Sequence, residues 1–437
     1  MSNPDLLYKY KGVVDVPPLE MVDDIVTVQK CGVASETLNT EVNSFIAQKK
    51  LTLGQNKCVK VHIGNKCAEC DNLYVHDEVM KESQQVKYLG DIIHSDGRPR
   101  ATIVERINRG WAICGQIFGL LKDIPIGNLR VQIGLELRQA WLLNGILFNS
   151  EIWYGLKDSD IASFVQIDQY LIRGLLNAHS KTPLEHLYLE TGTLPVKYII
   201  ISRRLIYLKE ILDRPETEII KKVYRCQQAN PDPGDWCQSI EQDLKDINLN
   251  MTEENIENMS TFDYKKLVKT SARNAAFIQL ECLKESHSKV EQNLYDGLVR
   301  PQGYLTSGTI TNTQCHILFS LRSHCLRGIK ENFKKMFPQN TMCPICERFG
   351  DTQQHLLLCK VLQDIRPMKE QVHYNYIYGT TQEQEIIAKV YEIYLGIRDE
   401  LLGETDQQSL PGLYTGPQRR QTRTERTSTC NSNSGIR

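Results

Sequence analysis

Apolar residues recur at helical spacing through residues 99–225. Four stripes repeat at steps of three and four residues, which places their apolar side chains on one face of a helix. The stripes cover residues 103–121, 129–141, 161–175 and 201–212. We therefore predict four amphipathic helices that pack together as a bundle over residues 99–225.

The first 98 residues combine short apolar runs with one helical pattern. In residues 17–28, two apolar runs meet at Asp23 and Asp24, as expected of a β-hairpin with an acidic tip. The other elements that the pattern predicts are a helix over residues 33–50 and strands over residues 58–63 and 86–93. The predicted fold class is mainly α with a small α+β N-terminal part.

The chain beyond residue 225 divides into further predicted segments. A polar, acidic stretch with the turn-forming sequence Asn-Pro-Asp-Pro-Gly at residues 230–234 marks a junction. Helical patterns cover residues 264–298, 311–337 and 383–402. We predict a helical linker region over residues 226–335, a small cysteine-rich unit over 336–365, a helical segment over 366–403 and a disordered polar tail over 404–437.

Composition narrows the class of protein. A chain of 437 residues exceeds the about 250–300 residues at which single cores stop growing, so we expect several domains. No stretch approaches the roughly 18 unbroken apolar residues of a membrane span. The start of the chain lacks a basic segment followed by an apolar one, so we expect a cytoplasmic or nuclear protein that is not secreted. Its 14 cysteines should then be reduced, and a cluster of them is more typical of a metal site than of disulfides.

One cysteine-rich motif has the spacing of a zinc site. Two cysteines separated by two residues are followed after eight residues by a histidine and after three more by a cysteine. The ligands are Cys343, Cys346, His355 and Cys359. Four protein ligands leave no open position, so we expect a structural zinc. Leu356, Leu357 and Leu358 are expected to pack around it, and Gly350 to permit the turn between its two halves.

Asp23 and Asp24 form a second candidate site. Polymerases hold two Mg²⁺ ions with carboxylates, so that one ion activates the primer 3′-hydroxyl and the other stabilises the leaving pyrophosphate. Adjacent aspartates at a hairpin tip can present charge to such ions. Taken alone, the pair is explained more simply by a solvated turn.

Several motifs in order resemble the reverse transcriptase of non-LTR (LINE-like) retrotransposons, from its paired aspartates onward. Met21-Val22-Asp23-Asp24 resembles the box that carries those aspartates, although Met21 and Val22 depart from the usual residues. Residues 53–58 resemble the next motif, in which a lysine near Lys57 approaches the phosphates of the incoming nucleotide.

Two further regions extend this resemblance over roughly residues 13–360. Tyr88-Leu89-Gly90 resembles the primer grip, a strand turn that holds the primer end. Residues 181–195 and 203–205 are similar to the region beyond the thumb of the polymerase. Polyproteins of this family often carry a C-terminal Cys-Cys-His-Cys knuckle like the one at residues 343–359.

The resemblance implies a truncated polymerase palm over residues 1–98, a helical thumb with following helices over 99–225 and a zinc knuckle over 336–365. It implies Mg²⁺ at Asp23 and Asp24, and RNA and DNA template–primer as partners. In this family a third metal-binding aspartate lies on a strand well upstream, whereas only 22 residues precede Asp23. We therefore expect a chain that binds nucleic acid but does not polymerise alone, with the N-terminal part of the polymerase as a candidate partner. The oligomeric state stays open.

The alternative is a non-catalytic, zinc-containing RNA- or DNA-binding protein derived from a retroelement, in which Asp23 and Asp24 are relics. Basic residues on the predicted helices could line a nucleic-acid groove, but a solvated face explains them equally well because acidic residues are interspersed. These basic residues are Arg98, Arg100, Arg106, Arg109, Arg130, Arg138, Arg173, Lys197, Arg203 and Arg204.

Overall fold

The computed structural model describes residues 8–21, 24–29, 33–54, 57–64, 72–75, 78–286, 295, 297–298, 300–333, 341–368 and 372–403. This part of the chain is mainly helical, with short strands before residue 95, as the hydrophobic pattern predicts. Within it, no helix combines the length and apolar composition needed to cross a bilayer. The predicted tail over residues 404–437 lies outside the described residues.

The strands of the N-terminal part form small, separate sheets. The elements are β1 (Tyr8–Tyr10), β2 (Val14–Val16), β3 (Leu19–Met21), β4 (Asp24–Val26), α1 (Val33–Gln48), β5 (Val59–Val61), β6 (Tyr74–Val75), β7 (Glu78–Val79), β8 (Lys81–Ser83), β9 (Gln85–Tyr88) and β10 (Asp91–His94). The described strands pair as β1–β2, β3–β4, β6–β7 and β9–β10, all antiparallel, and as β5–β8, which is parallel. Two-stranded sheets are marginal alone, and two of these are supported by helices, since β10 packs on α2 and β2 packs on α8.

The predicted acidic hairpin is confirmed in its two strands. β3 and β4 pair antiparallel, with Met21 opposite Asp24. Residues 22 and 23, which connect them, lie outside the described residues. The predicted helix over 33–50 and strand over 58–63 are also confirmed, as α1 and β5.

The single strand predicted over residues 86–93 is wrong, because the segment folds back as the β9–β10 hairpin. Tyr88 pairs with Asp91, and the two residues between them both have positive φ, 46° at Leu89 and 90° at Gly90. Two successive residues of this kind form the turn that joins tightly twisted strands. Gly90 adopts it without strain, whereas leucine is rare there, and the apolar run therefore concealed the turn.

Seven α-helices span residues 100–229, and they contain the four predicted stripes except for Leu121, which follows α2, and Trp141, which lies in the π-helical segment after α3. They are α2 (Arg100–Leu120), α3 (Asn128–Leu137), α4 (Asn144–Ile146), α5 (Asp158–Leu176), α6 (Leu184–Thr191), α7 (Val196–Leu212) and α8 (Ile219–Ala229). A π-helical segment, Arg138–Leu143, joins α3 to α4. Pro183 and Pro195 precede α6 and α7, where the missing N–H of proline costs no helical hydrogen bond.

The region after residue 230 is more helical than the sequence predicts. Its helices are α9 (Trp236–Asp246), α10 (Glu253–Asn258), α11 (Thr261–Ser286), α12 (Asn312–Arg322), α13 (Gln353–Leu358), α14 (Lys360–Ile365) and α15 (Thr381–Leu402). The unpredicted α9 and α10 both start at a capping side chain, Asp235 and Thr252, that accepts a hydrogen bond from a backbone N–H of the first turn. α12 ends at Arg322, well before the predicted residue 337.

The hydrophobic core crosses the predicted junction at residues 230–234. These residues do form the turn between α8 and α9. However, Tyr224 before the turn and Trp236 and Ile240 after it belong to one buried cluster with Leu205 and Leu208 of α7. The same cluster continues into α11, α12 and α15, while a second one joins α2, α5 and the π-helical segment. The helices on the two sides of residue 230 therefore share a core.

Three arginines predicted as candidates for a nucleic-acid groove are buried instead. Arg106, Arg138 and Arg204 each lose almost all contact with solvent. Arg138 forms a two-point ion pair with Asp168 at 2.6 and 2.7 Å, and Arg204 forms one with Asp243 at 2.6 Å for both contacts. A buried guanidinium needs such a partner, because an unpaired charge in the core is very costly. Arg138 and Arg204 join helical segments, and Arg106 bonds to Gly90 and Asp91 of the β9–β10 hairpin, so these residues are not available to phosphates.

Candidate metal centre and polymerase-like residues

Three cysteines and one histidine converge in the C-terminal part of the structure. The ligand atoms of Cys343, Cys346, His355 and Cys359 all lie within 4.8 Å of one another. Cys343 and Cys359 are buried, and Cys346 and His355 are half-buried. This is the set that the motif spacing predicts, and it is a group that could hold a metal ion such as zinc.

A tight turn presents the first two cysteines. The backbone N–H of Cys343 donates to the carbonyl of Phe349 at 2.7 Å, and that of Glu347 donates to the carbonyl of Cys343 at 2.9 Å. Glu347 has a φ of 53°, and it is this residue, not Gly350, that takes the left-handed conformation. Gly350 instead forms an isolated antiparallel bridge with Met342. The expected turn-forming role of Gly350 is therefore wrong.

The short helix α13 presents the other two ligands. The Thr352 hydroxyl accepts a hydrogen bond from the backbone N–H of His355 at 2.9 Å and so caps the helix beside the ligand. Cys359 follows the last residue of α13 and is fully buried. Leu356 and Leu357 are buried as predicted, but Leu358 is 57% exposed, because successive residues of a helix point in different directions.

The donor set suits a bound cation. Burial lowers the pKa of His355, which keeps the imidazole neutral as a metal ligand must be. Burial also raises the pKa of Cys343 to about 11, because the charged thiolate is poorly solvated there. A cation beside the thiolate would stabilise it and lower this pKa. The Cys346 Sγ lies 3.2 Å from the His355 Nε2. Ligands about 2.0–2.3 Å from a tetrahedral zinc lie roughly 3.5–3.8 Å apart, so the widest distances would contract and the Cys346–His355 distance would lengthen slightly around the ion.

The candidate metal centre is built into the main core. Asp351 is buried and receives both ends of the Arg398 guanidinium of α15, at 2.8 and 2.9 Å. The Gln353 amide donates to the carbonyl of Leu321 at 3.0 Å, and the Tyr391 hydroxyl donates to the carbonyl of Gln353 at 2.7 Å. Cys343, Cys359 and both buried leucines belong to the same hydrophobic cluster as α7 and α11. Residues 341–365 therefore pack as part of the larger fold.

The structure does not bring the polymerase-like residues together by backbone pairing. Asp24 is the exposed first residue of β4, Asp23 lies outside the described residues, and Lys57 is exposed in a turn. Among the described strands, β3–β4 and β9–β10 form separate sheets, and no pairing between these strands joins the acidic hairpin to the turn at Tyr88-Leu89-Gly90.

The turn at Tyr88-Leu89-Gly90 is fixed to the helical bundle by residues that the sequence did not single out for this role. Arg106 of α2 donates to the carbonyl of Gly90 at 2.7 Å and to the Asp91 carboxylate at 3.2 Å. Asn149 donates to the other oxygen of that carboxylate at 2.7 Å. The Phe148 ring leaves so little room that a Cβ at Gly90 would lie 3.0 Å from it. Arg106 lies three residues after Ile103 on the apolar stripe, a position that signals burial.

Comparison with protein-family models, with curated proteins and with solved structures found no match.

Proposed function

We propose that this chain is the C-terminal part of an RNA-directed DNA polymerase from a non-LTR retrotransposon, and that it binds template–primer nucleic acid. The support is the order of the motifs, which runs from an acidic hairpin through a helix, Lys57 and the Tyr88-Leu89-Gly90 turn to a helical bundle and a Cys₃His cluster.

The observation that carries the proposal is the attachment of the β9–β10 hairpin to the helical bundle, through Arg106 of α2 and Asn149 after α4. A turn that holds a primer end must keep its position to within a fraction of an ångström. Arg106 and Asn149 provide that attachment through hydrogen bonds to Gly90 and Asp91. Arg98 and Arg100, just after the hairpin, are exposed and remain suitable for phosphate contacts.

The metal ions have separate roles in this proposal. Zinc at the Cys₃His cluster would be structural, because all four positions around it are filled by protein. Mg²⁺ at Asp23 and Asp24 would activate the primer hydroxyl and stabilise the leaving pyrophosphate. Two adjacent carboxylates do not complete such a site, so we propose that polymerisation requires a third carboxylate supplied from elsewhere.

The alternative, a non-catalytic nucleic-acid-binding protein derived from a retroelement, is favoured by one observation. The acidic hairpin is a separate two-stranded sheet, and backbone pairing does not join it to the hairpin that carries the primer-grip-like turn. The chain binds nucleic acid in both proposals. The two proposals differ in whether Asp23 and Asp24 still hold catalytic metal ions.

Primer extension separates catalysis from binding. We expect the purified 437-residue chain to incorporate no nucleotide on an RNA template with a DNA primer, with either Mg²⁺ or Mn²⁺, because two adjacent carboxylates alone do not hold both catalytic metal ions. The Asp23→Ala variant should be indistinguishable from the wild type, and a known reverse transcriptase serves as the positive control. Incorporation by the wild type that disappears in Asp23→Ala would show a complete active site and contradict the expectation.

A further inference from the structure

One face of α11 carries an exposed basic stripe. Phe262, Lys266, Lys269 and Arg273 follow one another at steps of four, three and four residues, so their side chains share one side of the helix. The helix packs through its other side on α6 and α7. At 1.5 Å per residue, the stripe is about 16 Å long.

The three cations of this stripe are not neutralised within the described part of the chain. All three are exposed, and none forms an ion pair or hydrogen bond there with an acidic side chain. Their neighbour Lys265 differs, because it pairs with Glu210 of α7 at 3.0 Å. Lys266, Lys269 and Arg273 therefore face solvent, whereas the charge of Lys265 is balanced by a neighbouring carboxylate.

The helix that carries the stripe supplies only one acidic residue close to it, Asp263. Residues 264–280 contain no Asp or Glu. Asp263, at the start of α11, is engaged with Ser260, whose hydroxyl donates to the carboxylate at 2.6 Å. Asp263 is the single acid next to the stripe, and residues 264–280 add none, so three positive charges face one negative charge and the surface is complementary to a polyanion.

Phe262, at one end of the stripe, indicates which kind of polyanion the stripe binds. Phe262 is 76% exposed, which is unusual for a large apolar ring. Proteins that bind single-stranded nucleic acid combine cations that follow the backbone with aromatic rings on which bases stack. Duplex bases are already stacked on each other and offer no free face, so the ring favours an unpaired strand.

We propose that Phe262, Lys266, Lys269 and Arg273 form a binding track for single-stranded nucleic acid, separate from the primer-grip-like turn. The three cations contact successive backbone phosphates, and the ring stacks on an unpaired base. The track shares with the proposed function only the premise that the partner is nucleic acid.

Fluorescence anisotropy with labelled 12-nucleotide single strands, one of RNA and one of DNA, tests this track in the full chain. We expect the triple variant Lys266→Gln, Lys269→Gln, Arg273→Gln to bind both strands at least about tenfold more weakly. The slope of log Kd against log salt should fall by about 2, since each lost phosphate contact accounts for about 0.7 on a single strand. Phe262→Ala should weaken binding by about fivefold or more and leave that slope unchanged.

The matched control removes the same charge from exposed lysines on other helices. Lys222→Gln, Lys245→Gln, Lys389→Gln should bind like the wild type if position matters more than net charge. Equal losses in the two triple variants would overturn the track, as would equal displacement of the strand by polyglutamate and by unlabelled RNA. An unchanged affinity in Phe262→Ala would contradict the proposal that this ring stacks on an unpaired base.

A primer–template duplex measured in parallel keeps this proposal distinct from the proposed function. Loss of single-strand binding in the α11 variant with primer–template binding intact would support both. Binding of the single strand without any binding of the primer–template would contradict the proposed function and leave the track standing. A wild type that binds the primer–template but not single strands would contradict the track and leave the proposed function standing.

Discussion

Replacing Cys359 with alanine is expected to remove tight metal binding and to lower the free energy of unfolding by about 3 kcal/mol or more in the presence of zinc. Cys359 is fully buried and lies between α13 and α14. Leu356, Leu357 and Leu362 near Cys359 belong to the large shared core. The loss of the metal should therefore destabilise the helices that share this core, and not only residues 341–365.

Metal content and denaturant unfolding of the same preparations test this expectation. The wild type should hold one zinc per chain and lose stability when a chelator removes it, whereas Cys359→Ala should hold little zinc and respond little to the chelator. Cys315→Ala is the matched control, because Cys315 is also buried but lies outside the cluster, and its loss should cost only about 1 kcal/mol. Unchanged zinc content in Cys359→Ala would rule out the metal centre.

Replacing Arg322 with methionine is expected to destabilise the fold by about 3–5 kcal/mol, because it leaves the carboxylate of Glu190 buried without its cation. Arg322 donates to Glu190 at 2.8 Å, and both side chains are almost wholly buried. The hydroxyls of Tyr295 and Tyr304 also donate to this carboxylate, at 2.5 and 2.8 Å. Burial beside Glu190 raises the pKa of Tyr304 well above its ordinary value, so this tyrosine remains a neutral donor.

A double-mutant cycle with Glu190→Met measures the coupling directly. Denaturant unfolding should show that the double variant recovers a large part of the loss, since an apolar pair of similar size often replaces a buried ion pair at little cost. The exposed pair Arg214–Glu218, with side chains 48% and 40% accessible, provides the control and should cost no more than about 1 kcal/mol when broken. Additive losses from the two single variants would refute the coupling.

Local periodicity predicted most of the helices, and local spacing predicted the metal ligands. The stripes in α2, α3, α5 and α7 and the four ligands all depend on residues close together in the sequence, where helical geometry fixes which side chains meet. The hydrophobic pattern missed the β9–β10 hairpin because Leu89 takes a conformation that leucine rarely adopts, although the resemblance of Tyr88-Leu89-Gly90 to a primer grip implied a turn there.

Contacts between distant residues explain most of the other differences. The partners of Arg138, Arg204 and Arg322 lie 30, 39 and 132 residues away, so no local pattern identifies them. A signal of burial was nevertheless present, since Arg204 lies three residues after Ile201 and four before Leu208, on the apolar face of α7. A charged residue at a stripe position predicts a buried ion pair better than it predicts a phosphate contact.

The most direct test of the proposed function is the equilibrium affinity of the full chain for an RNA–DNA primer–template with a recessed 3′ end. The same anisotropy titration should include a blunt RNA–DNA duplex whose paired region has the same length, which offers the same paired phosphates but no recessed primer end. The proposed descent from a reverse transcriptase, with a primer grip at Tyr88-Leu89-Gly90, predicts that the primer–template binds about tenfold more tightly than the blunt duplex, a difference of about 1.4 kcal/mol. Equal affinity for the two duplexes, or no binding of either, would contradict the proposed function.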